Sequence, residues 1–337
     1  MEKTRTRVGK LNLDHCFMNA SGVKCRTRVD LRNLYKSKFR TGAVVCKSCT
    51  LDFRRGNQGT TYYHSEANAS SINSSGLPNL GYEFYTDMGK ELYELYNSRK
   101  YRYLYEAKKP YIMSVSGMTL EDNVKILGDV FSKYKECSIN GIELNLSCPN
   151  IIGKPQVGYD FEAFRETLRR VYELDVPREL NMGIKLPPYF DTSHWGMAFD
   201  VVRDFPLDTI TCINSIGNGL VVDPIHECSV ISPKKGLGGI GGSHVKSVAL
   251  SNVFQFSQNT KCDVIGCGGI VNGIDAFEHI LCGAKAVQVG TLVMLEGLDV
   301  FKTLERELLT IMRQKGYKKI SDFCGKLKYV HPELYRD

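Results

Sequence analysis

The stretch 143–156, ELNLSCPNIIGKPQ, holds the side chains of this sequence best suited to proton transfer. It opens as a short apolar run and breaks at Pro149 into a polar loop. Several polar residues therefore emerge together where a predicted strand ends: Asn145, Ser147, Cys148, Asn150 and Lys154. An accessible Cys beside hydroxyl and amide groups can act as a base or a nucleophile. The alternative is a turn that holds a small buried thiol, because free Cys is among the most buried residue types.

Eight β-rich runs alternate with helical patterns, which indicates parallel strands joined by helical crossovers. The predicted strands are 17–22, 43–48, 111–117, 142–147, 182–187, 209–214, 263–269 and 286–291. The predicted helices are 29–39, 120–135, 161–174, 193–204, 243–258, 273–282 and 300–315. This pattern predicts an α/β fold, a (β/α)8 TIM barrel that forms a single domain over 1–337 with long loop insertions at strand ends. A doubly wound sheet is the alternative.

Each predicted strand ends on polar residues or glycine. The ends carry Ser21-Gly22, Lys47-Ser48, Ser116-Gly117, Ser147-Cys148, Lys185, Asn214-Ser215, Gly268-Gly269 and Gly290-Thr291. In a barrel these ends meet on the face where barrel enzymes carry their active sites, so together they predict one shared site. The last two ends match the common barrel phosphate site, since glycine lets backbone amides approach phosphate oxygens.

Lys47 and Lys185 lie in otherwise apolar strands, where a charge needs a partner. A phosphate, an electron-rich ring or an anionic substrate could be that partner. The run 236–242, GLGGIGG, is predicted to be a loop that adds further backbone amides. Its G-x-G-x-x-G pattern is not taken as a Rossmann motif, because it follows Pro233 and two lysines rather than a predicted strand.

Composition limits the class of protein. The 337 residues include 44 basic and 37 acidic ones, and the net charge of +7 is spread along the chain, which does not indicate a nucleic-acid partner. The first residues, MEKTRTRVGK, precede no apolar segment, and no run approaches the ~18 apolar residues of a membrane span. We therefore expect a cytoplasmic protein without membrane association, whose 12 cysteines are reduced.

Two long excursions and several isolated residues lie outside the predicted strand ends. Residues 71–79, SINSSGLPN, lie between the second and third predicted strands and are expected to line a ligand, and a second excursion spans 216–235. The Tyr-, Lys- and Arg-rich segment 92–109 is interpreted as an amphipathic surface helix, with RNA binding as the alternative. The lone Cys46-x-x-Cys49 pair does not indicate a metal site. Cys16, Cys137, Cys212 and Cys282 are expected in the core, and His15 is expected to be a packing residue.

The stretch 143–156 and seven other motifs resemble class 1A dihydroorotate dehydrogenases. The other motifs are FMNASG (17–22), SINSSGLPNLG (71–81), IKLPPYFD (184–191), INSIGNGL (213–220), GGIGG (238–242), DAFEHILCGA (275–284) and QVGT (288–291). They occur in the family's order from about residue 17 to 328. The GKPQ extension is specific for class 1A, whereas class 2 usually carries a base serine and an N-terminal membrane segment.

The resemblance implies an FMN-binding barrel, usually a homodimer, that oxidises dihydroorotate to orotate in pyrimidine synthesis, with fumarate reduced to succinate. It assigns Cys148 as the base that takes the C5 proton while hydride leaves C6 for flavin N5. Ser147 is the competitor for this role, but its position in the predicted strand favours a role in orienting other groups. The implied substrate-binding residues are Lys47, Asn73, Gly76, Leu77, Asn145, Asn150, Asn214 and Ser215. The implied FMN-binding residues are Ala20, Ser21, Lys47, Ser48, Asn145, Lys185, Ile213, Gly242, Gly268, Gly269, Gly290 and Thr291.

Some positions depart from the family pattern. Ser75 stands where Met is common, Cys49 where Ser or Thr is frequent and Cys267 where Thr is common, and the segment 92–109 is longer than expected. One alternative function is another FMN-barrel reductase that acts on a dihydropyrimidine or dihydrouridine ring. A second is a flavin-binding protein without catalysis. The electron acceptor, the oligomeric interface and the roles of the additional cysteines are not determined by these residues.

Overall fold

The computed structural model describes residues 3–105, 107–151, 153 and 155–330. Lys154, which the sequence places in the polar loop after Pro149, lies outside the described residues, as do 331–337 at the end of the predicted domain. Eighteen strands occur in the described part of the chain: β1 (Thr6–Val8), β2 (Leu11–Leu13), β3 (Phe17–Asn19), β4 (Val44–Val45), β5 (Phe53–Arg54), β6 (Tyr62–Ser65), β7 (Ser70–Asn73), β8 (Asn79–Leu80), β9 (Tyr111–Val115), β10 (Gly141–Asn145), β11 (Asn181–Leu186), β12 (Thr209–Cys212), β13 (Ile216–Leu220), β14 (Val222–Asp223), β15 (Cys228–Ser229), β16 (Leu237–Gly242), β17 (Asp263–Cys267) and β18 (Ala284–Val289).

Eight parallel strands form the central sheet, in the order β3-β18-β17-β12-β11-β10-β9-β4. A parallel bridge between Met18 and Ala43 brings the two ends of this sheet together. The eight strands are those predicted from the sequence, and the predicted TIM barrel is confirmed. The doubly wound alternative is wrong, because its strand order would reverse in the middle of an open sheet.

The predicted strands extend beyond the observed ones at their carboxyl ends. β3 ends at Asn19 and β10 at Asn145, so Ser21, Ser147 and Cys148 lie in the loops that follow. In these loops side-chain hydrogen bonds replace the strand ladder; Ser21 Oγ, for example, donates to the carbonyl of Cys46 at 2.9 Å. The polar residues are consequently free of strand geometry and can face the barrel opening.

The described residues form nine α-helices: α1 (Arg28–Tyr35), α2 (Tyr82–Asn97), α3 (Leu120–Lys133), α4 (Phe161–Tyr172), α5 (Thr192–Arg203), α6 (Lys246–Asn259), α7 (Gly273–Leu281), α8 (Thr291–Glu296) and α9 (Val300–Gln314). Reciprocal capping boxes at Thr27, Thr119 and Asn272 fix the first residues of α1, α3 and α7. All seven predicted helices are present, whereas α8 and the start of α2 were not predicted.

The prediction of a surface helix over 92–109 is only partly correct. α2 starts at Tyr82 and ends at Asn97, and its buried residues Tyr85, Met88 and Leu92 recur at helical spacing. After Asn97 the chain continues in turns, where basic residues replace the apolar positions that would hold a helix against the barrel.

The two long excursions contribute to one four-stranded sheet, β13-β16-β7-β6, in which β16 lies between β13 of the second excursion and β7 of the first. The prediction of a loop over 236–242 is wrong, because this run forms β16, which pairs antiparallel with β7. Gly242 has φ +74°, and a Cβ there would lie 2.1 Å from the carbonyl oxygen of Ala69, so only glycine fits. The run is still not a Rossmann motif, because β16 belongs to an antiparallel sheet, whereas a Rossmann motif follows a strand of a parallel sheet.

Apolar residues close the amino end of the barrel. The hairpin β1–β2 places Val8, Leu11 and Leu13 against inward-facing residues of the barrel strands, which include Met18, Val45, Ile112 and Ile265. A second and larger cluster lies between the barrel and the helices. The barrel opens to solvent at its carboxyl end, where the loops and the four-stranded sheet gather.

His15 is not the packing residue that the sequence suggested. Its Nδ1 lies 2.6 Å from Oε1 of Glu305 in α9, and the same carboxylate accepts hydrogen bonds from Thr4 Oγ1 at 2.6 Å and Arg40 Nη1 at 2.8 Å. Burial alone would raise the pKa of Glu305, but these three donors outweigh burial and lower it to about 2.

Two classes of site are absent from the described residues. None of the helices there has the length and apolar character needed to cross a bilayer. In the same residues, no group of three or more His, Cys, Asp or Glu side chains is arranged to hold a metal ion.

Candidate active site

A cavity at the carboxyl end of the barrel contains about 1290 Å³ of space, counted to its open mouth. All the site residues proposed from the sequence line it: Ala20, Ser21, Lys47, Ser48, Asn73, Gly76, Leu77, Asn145, Cys148, Asn150, Lys185, Ile213, Asn214, Ser215, Gly242, Gly268, Gly269, Gly290 and Thr291. They come from the ends of seven barrel strands and from the four-stranded sheet above them. The structure therefore brings together residues that are up to 271 positions apart in the chain, Ala20 and Thr291.

Positive charge dominates this cavity. Lys47 and Lys185 are the charged residues among its described lining, which includes no Asp or Glu. Within the described residues Lys47 forms no ion pair, and its side chain remains partly exposed. Because the lysine charges have no carboxylate in the lining, the cavity is suited to an anionic ligand.

Cys148 and Ser147 occupy different environments although they are adjacent. Cys148 is partly exposed and lines the cavity. Ser147 is completely buried, and its single hydroxyl proton has two acceptors within reach, Asn145 Oδ1 at 3.0 Å and the carbonyl of Lys185 at 3.1 Å. A ligand in the cavity can reach the thiol but not the hydroxyl, which agrees with the orienting role expected for Ser147.

Hydrogen bonds between amide side chains link two walls of the cavity. Asn214 Nδ2 donates to Asn145 Oδ1 at 3.2 Å, and the Oδ1 of Asn214 accepts from the backbone N–H of Ser215 at 2.8 Å. On the sheet side, Asn150 Nδ2 donates to Asn73 Oδ1 at 2.7 Å. The buried Oδ1 of Asn150 has no hydrogen-bond partner in the described structure. A bound ligand with an N–H group could satisfy it.

The loop between β7 and β8 forms the rim of the cavity. Gly76 and Leu77 both adopt positive φ, +70° and +61°. Arg54 Nε holds the carbonyl of Gly76 at 2.8 Å, and a Cβ on Gly76 would meet Asn57 Oδ1 at 2.3 Å. A non-glycine residue in this conformation is strained by about 1 kcal/mol or more, so Leu77 is held there by its surroundings.

A hydroxyl-lined and glycine-lined pocket forms the deeper part of the cavity. Ser48 Oγ lies 3.0 Å from Ser21 Oγ, and Ser71 Oγ lies 2.7 Å from Thr291 Oγ1. Gly269 has φ +78°, and a Cβ there would be 2.5 Å from Cα of Lys246. A side chain at this position would overlap the start of α6, so only glycine fits, and Gly268 and Gly269 line the cavity with backbone alone, as a phosphate cradle requires.

Lys185 is buried at the floor of the cavity, with 3% of its surface exposed. Its Nζ donates to Gln288 Oε1 at 2.8 Å and lies 3.7 Å from Cys267 Sγ. Burial acts to lower the pKa of Lys185, but the Cys267 sulfur and the Glu143 carboxylate outweigh burial, and the pKa is raised. The side chain is therefore a fixed ammonium group at neutral pH.

Several lining residues were missed from the sequence. Tyr62, Met294 and Val245 belong to segments whose position above the barrel depends on distant pairing, and no local signal marks them. Gln288 also lines the cavity and lies in the QVGT motif, and its hydrogen-bond partner Glu143, which does not line the cavity, lies in an apolar strand, so both carried a signal. The argument that a charge in a strand needs a partner applies to Glu143 as it does to the two lysines.

The cavity fits a flavin mononucleotide on chemical grounds. Its glycine-lined and hydroxyl-lined part suits a phosphate group, and the ammonium of Lys185 suits the ring edge that gains charge on reduction. The opposite part, with Lys47 and the asparagines around Cys148, suits a small, flat, anionic molecule with amide-like edges.

The chain matches one family over most of its length. A sequence profile of the family described as Dihydroorotate dehydrogenase matches residues 4–312. A probable dihydroorotate dehydrogenase A (fumarate) of Streptococcus pneumoniae is 43% identical over 98% of this chain and 100% of its own. The dihydroorotate dehydrogenase (fumarate) of Trypanosoma cruzi is 45% identical over 95% of this chain and 98% of its own. The dihydroorotate dehydrogenase A (fumarate) of Lactococcus lactis subsp. cremoris is 45% identical over 93% of this chain and 95% of its own.

Solved structures support the fold. DHODH of Eimeria tenella in complex with ferulenol superposes with a TM-score of 0.79 over 96% of this chain and 88% of its own. The ligand-free form of that protein gives a TM-score of 0.78 over 97% and 92%. At 18% and 17% identity these likenesses are evidence for the barrel alone.

Proposed function

The chain belongs to the dihydroorotate dehydrogenase family, and we propose that it oxidises dihydroorotate to orotate with fumarate as the electron acceptor. The observation that supports this function best is the single cavity that combines an accessible Cys148, two lysines and a cluster of asparagines without a carboxylate. The relatives with 43% and 45% identity, named as fumarate-type enzymes, agree with it.

FMN is the flavin that we propose for this cavity, and it supplies the acceptor for a hydride at N5 when bound. Gly268, Gly269, Gly290 and Thr291 would hold its phosphate through backbone amides and one hydroxyl. The ring would contact the carboxyl ends of the first two barrel strands, the floor at Lys185 and the last residues of β16. The residues for these contacts are Ala20, Ser21, Lys47, Ser48, Asn145, Lys185, Ile213 and Gly242.

The substrate would lie between the flavin and the polar loops. Lys47, without a carboxylate partner in the described residues, would pair with the carboxylate of dihydroorotate. The amides that surround the cavity would bind the ring edges and fix its orientation, together with the backbone of the strained rim loop. These groups are Asn73, Gly76, Leu77, Asn145, Asn150, Asn214 and Ser215.

Cys148 is the base that we propose for the C5 proton. Its side chain is accessible from the cavity, whereas that of Ser147 is buried, with its single hydroxyl proton between two acceptors. Ser147 holds Asn145 and the backbone of Lys185 in place, so it serves as a positioning residue. The C5 proton would pass to the Cys148 sulfur, the electron pair of the C5–H bond would form the C5=C6 double bond, and the C6–H electron pair would leave with the hydride, which accounts for the two electrons removed from the substrate.

The decisive experiment follows the flavin absorbance of the purified protein under anaerobic conditions. Dihydroorotate should bleach the yellow protein within seconds, and fumarate should restore the colour. A yellow protein that dihydroorotate does not bleach would contradict the substrate and favour another dihydropyrimidine. Bleaching that fumarate does not reverse would contradict the acceptor, and a colourless protein would contradict the flavin.

We further propose a single-domain, cytoplasmic enzyme that forms a homodimer. All the described barrel strands enclose one cavity, which supports a single domain. Sedimentation equilibrium of the purified protein would test the dimer, whose mass should be twice the 37.9 kDa of the chain.

A further inference from the structure

Three buried side chains from three barrel strands form one hydrogen-bonded chain that starts at the floor of the cavity. Gln288 of β18 donates from Nε2 to Glu143 Oε2 at 2.6 Å and accepts at Oε1 from Lys185 Nζ at 2.8 Å. We propose that Glu143 and Gln288 are positioning residues that set the reduction potential of the bound flavin through Lys185. This inference rests on the proposed function only in requiring that a flavin occupies the cavity.

The donors and acceptors of this chain can be arranged in one direction only. An ammonium group can only donate, so Lys185 requires the oxygen of the Gln288 amide. The NH2 group of Gln288 then faces Glu143, whose Oε2 must accept. The same Oε2 accepts from Thr211 Oγ1 at 2.9 Å. The order of donors and acceptors thus leads from a cation at Lys185 to an anion at Glu143.

Burial restricts the motion of these three side chains and reduces the screening of their charges by water. Glu143, Lys185 and Gln288 expose 3%, 3% and 1% of their surfaces. Glu143 is the carboxylate at the far end of this hydrogen-bonded chain, and Gln288 connects it to Lys185. Glu143 does not line the cavity, so it acts on a cavity ligand only through the field and through its neighbours.

The sign of the effect follows from charge alone. Two-electron reduction adds negative charge to a flavin ring, which a nearby cation stabilises and a nearby anion destabilises. Charges act strongly across a protein interior because its dielectric response is weaker than that of water. Lys185 should hence raise the reduction potential, and Glu143, one side chain further away, should lower it. With both charges present, the reduction potential of the flavin should lie below the value for Lys185 alone and above the value for Glu143 alone.

The test measures the reduction potential of the bound FMN by photoreduction against a reference dye, without dihydroorotate. Glu143→Gln keeps the shape and the acceptor for Gln288 but removes the charge. We expect the equilibrium constant for flavin reduction to rise about tenfold, which is ~30 mV for two electrons. Gln288→Met removes the anchor of Lys185 and leaves the charge of Glu143, so the potential should fall. The two substitutions should therefore act in opposite directions.

Glu305→Gln is the matched control, because it removes a carboxylate that is equally buried but lies among residues of the amino end. It should leave the potential unchanged. A potential in Glu143→Gln equal to that of the unsubstituted protein, or equal shifts in Glu143→Gln and Glu305→Gln, would overturn the proposal. If Glu143→Gln does not fold, an unchanged or raised potential in Gln288→Met would overturn it.

Failure of the proposed function gives a different result. A yellow protein that dihydroorotate does not reduce would contradict the substrate, yet its potential would still test Glu143. A protein that binds no FMN would contradict both. A merely structural role for Glu143 would lower the stability of Glu143→Gln without moving the potential, and this outcome also overturns the inference.

Discussion

At the amino end of the barrel the carboxylate of Glu305 meets Thr4, His15 and Arg40, whereas at the carboxyl end Lys47 meets no carboxylate among the described residues. Both regions place charge in partly or completely buried positions, and both use residues that are far apart in sequence. Donors and acceptors are matched at the amino end. At the carboxyl end an ammonium, the Oδ1 of Asn150 and an accessible thiol lack such partners or remain open to the cavity. Matched groups contribute to stability, and unmatched groups are available for a ligand.

The largest expected effect is the loss of the open thiol. Cys148→Ala should lower turnover by about 10²- to 10⁴-fold, because a positioned base is lost, while the protein still binds FMN. Stopped-flow bleaching with dihydroorotate measures the rate, and the absorbance spectrum measures FMN content. Cys228→Ala is the control, since Cys228 is exposed and outside the cavity. Near-normal turnover in Cys148→Ala would show that the base is another residue.

Loss of the unpaired lysine should affect binding without harming the fold. In Lys47→Met the carboxylate of the substrate loses a charged hydrogen bond worth ~1.5–3 kcal/mol, so KM for dihydroorotate should rise about 10- to 150-fold. Since no protein carboxylate is left unpaired in the described structure, the free energy of unfolding should stay the same or increase. Steady-state kinetics and urea denaturation measure the two quantities. A clear loss of stability with an unchanged KM would mean that Lys47 has a structural role.

Removal of the Glu305 carboxylate should lower stability and leave substrate binding unchanged, the reverse of the result expected for Lys47→Met. Folding lowers the pKa of Glu305 from 4.5 to about 2, which corresponds to about 3 kcal/mol of stability at neutral pH. The contribution is complete above the unfolded pKa and is lost as pH falls toward 2. Glu305→Gln should thus be less stable than the unsubstituted protein at pH 7, and the difference should shrink between pH 5 and pH 2. Its kcat and KM should not change.

Urea denaturation at several pH values measures this difference. A constant difference across that range would show that Glu305 contributes packing rather than charge. A changed KM would link the amino end to the active site and weaken the comparison between the two ends.

The smallest expected effect comes from a residue that lies at the carboxyl end of the barrel but already has its hydrogen-bond partner. Thr119 lies at the carboxyl end of the barrel, but its side chain is matched, because it accepts from the backbone N–H of Asp122 at 3.0 Å in a capping box. Thr119→Ala should cost about 1 kcal/mol of stability and leave turnover unchanged. Urea denaturation and steady-state kinetics test this. If turnover falls while stability does not, then position at this end of the barrel, and not the matching of partners, decides which residues affect activity.

The sequence by itself determined the eight barrel strands and many of the residues that line the cavity. Alternating apolar runs and helical periods identified all eight barrel strands, because the pleat of a strand and the turn of a helix impose local periods. The polar ends of those strands identified Lys47, Cys148 and Lys185, since the carboxyl ends of parallel strands must meet on one face. Whether each residue has its proposed role stays a prediction.

Tertiary structure alone decided how these residues are paired. Residues 236–242 were predicted to be a loop, because a glycine-rich run has little strand propensity, yet pairing of Gly239 with Asn73 makes them a strand. His15 and Glu305 are 290 positions apart, and no local period links them. The chain from Glu143 through Gln288 to Lys185 likewise depends on three strands that meet only in the closed barrel. Local periods determine which elements form, whereas hydrogen bonds between distant side chains depend on the three-dimensional arrangement of those elements.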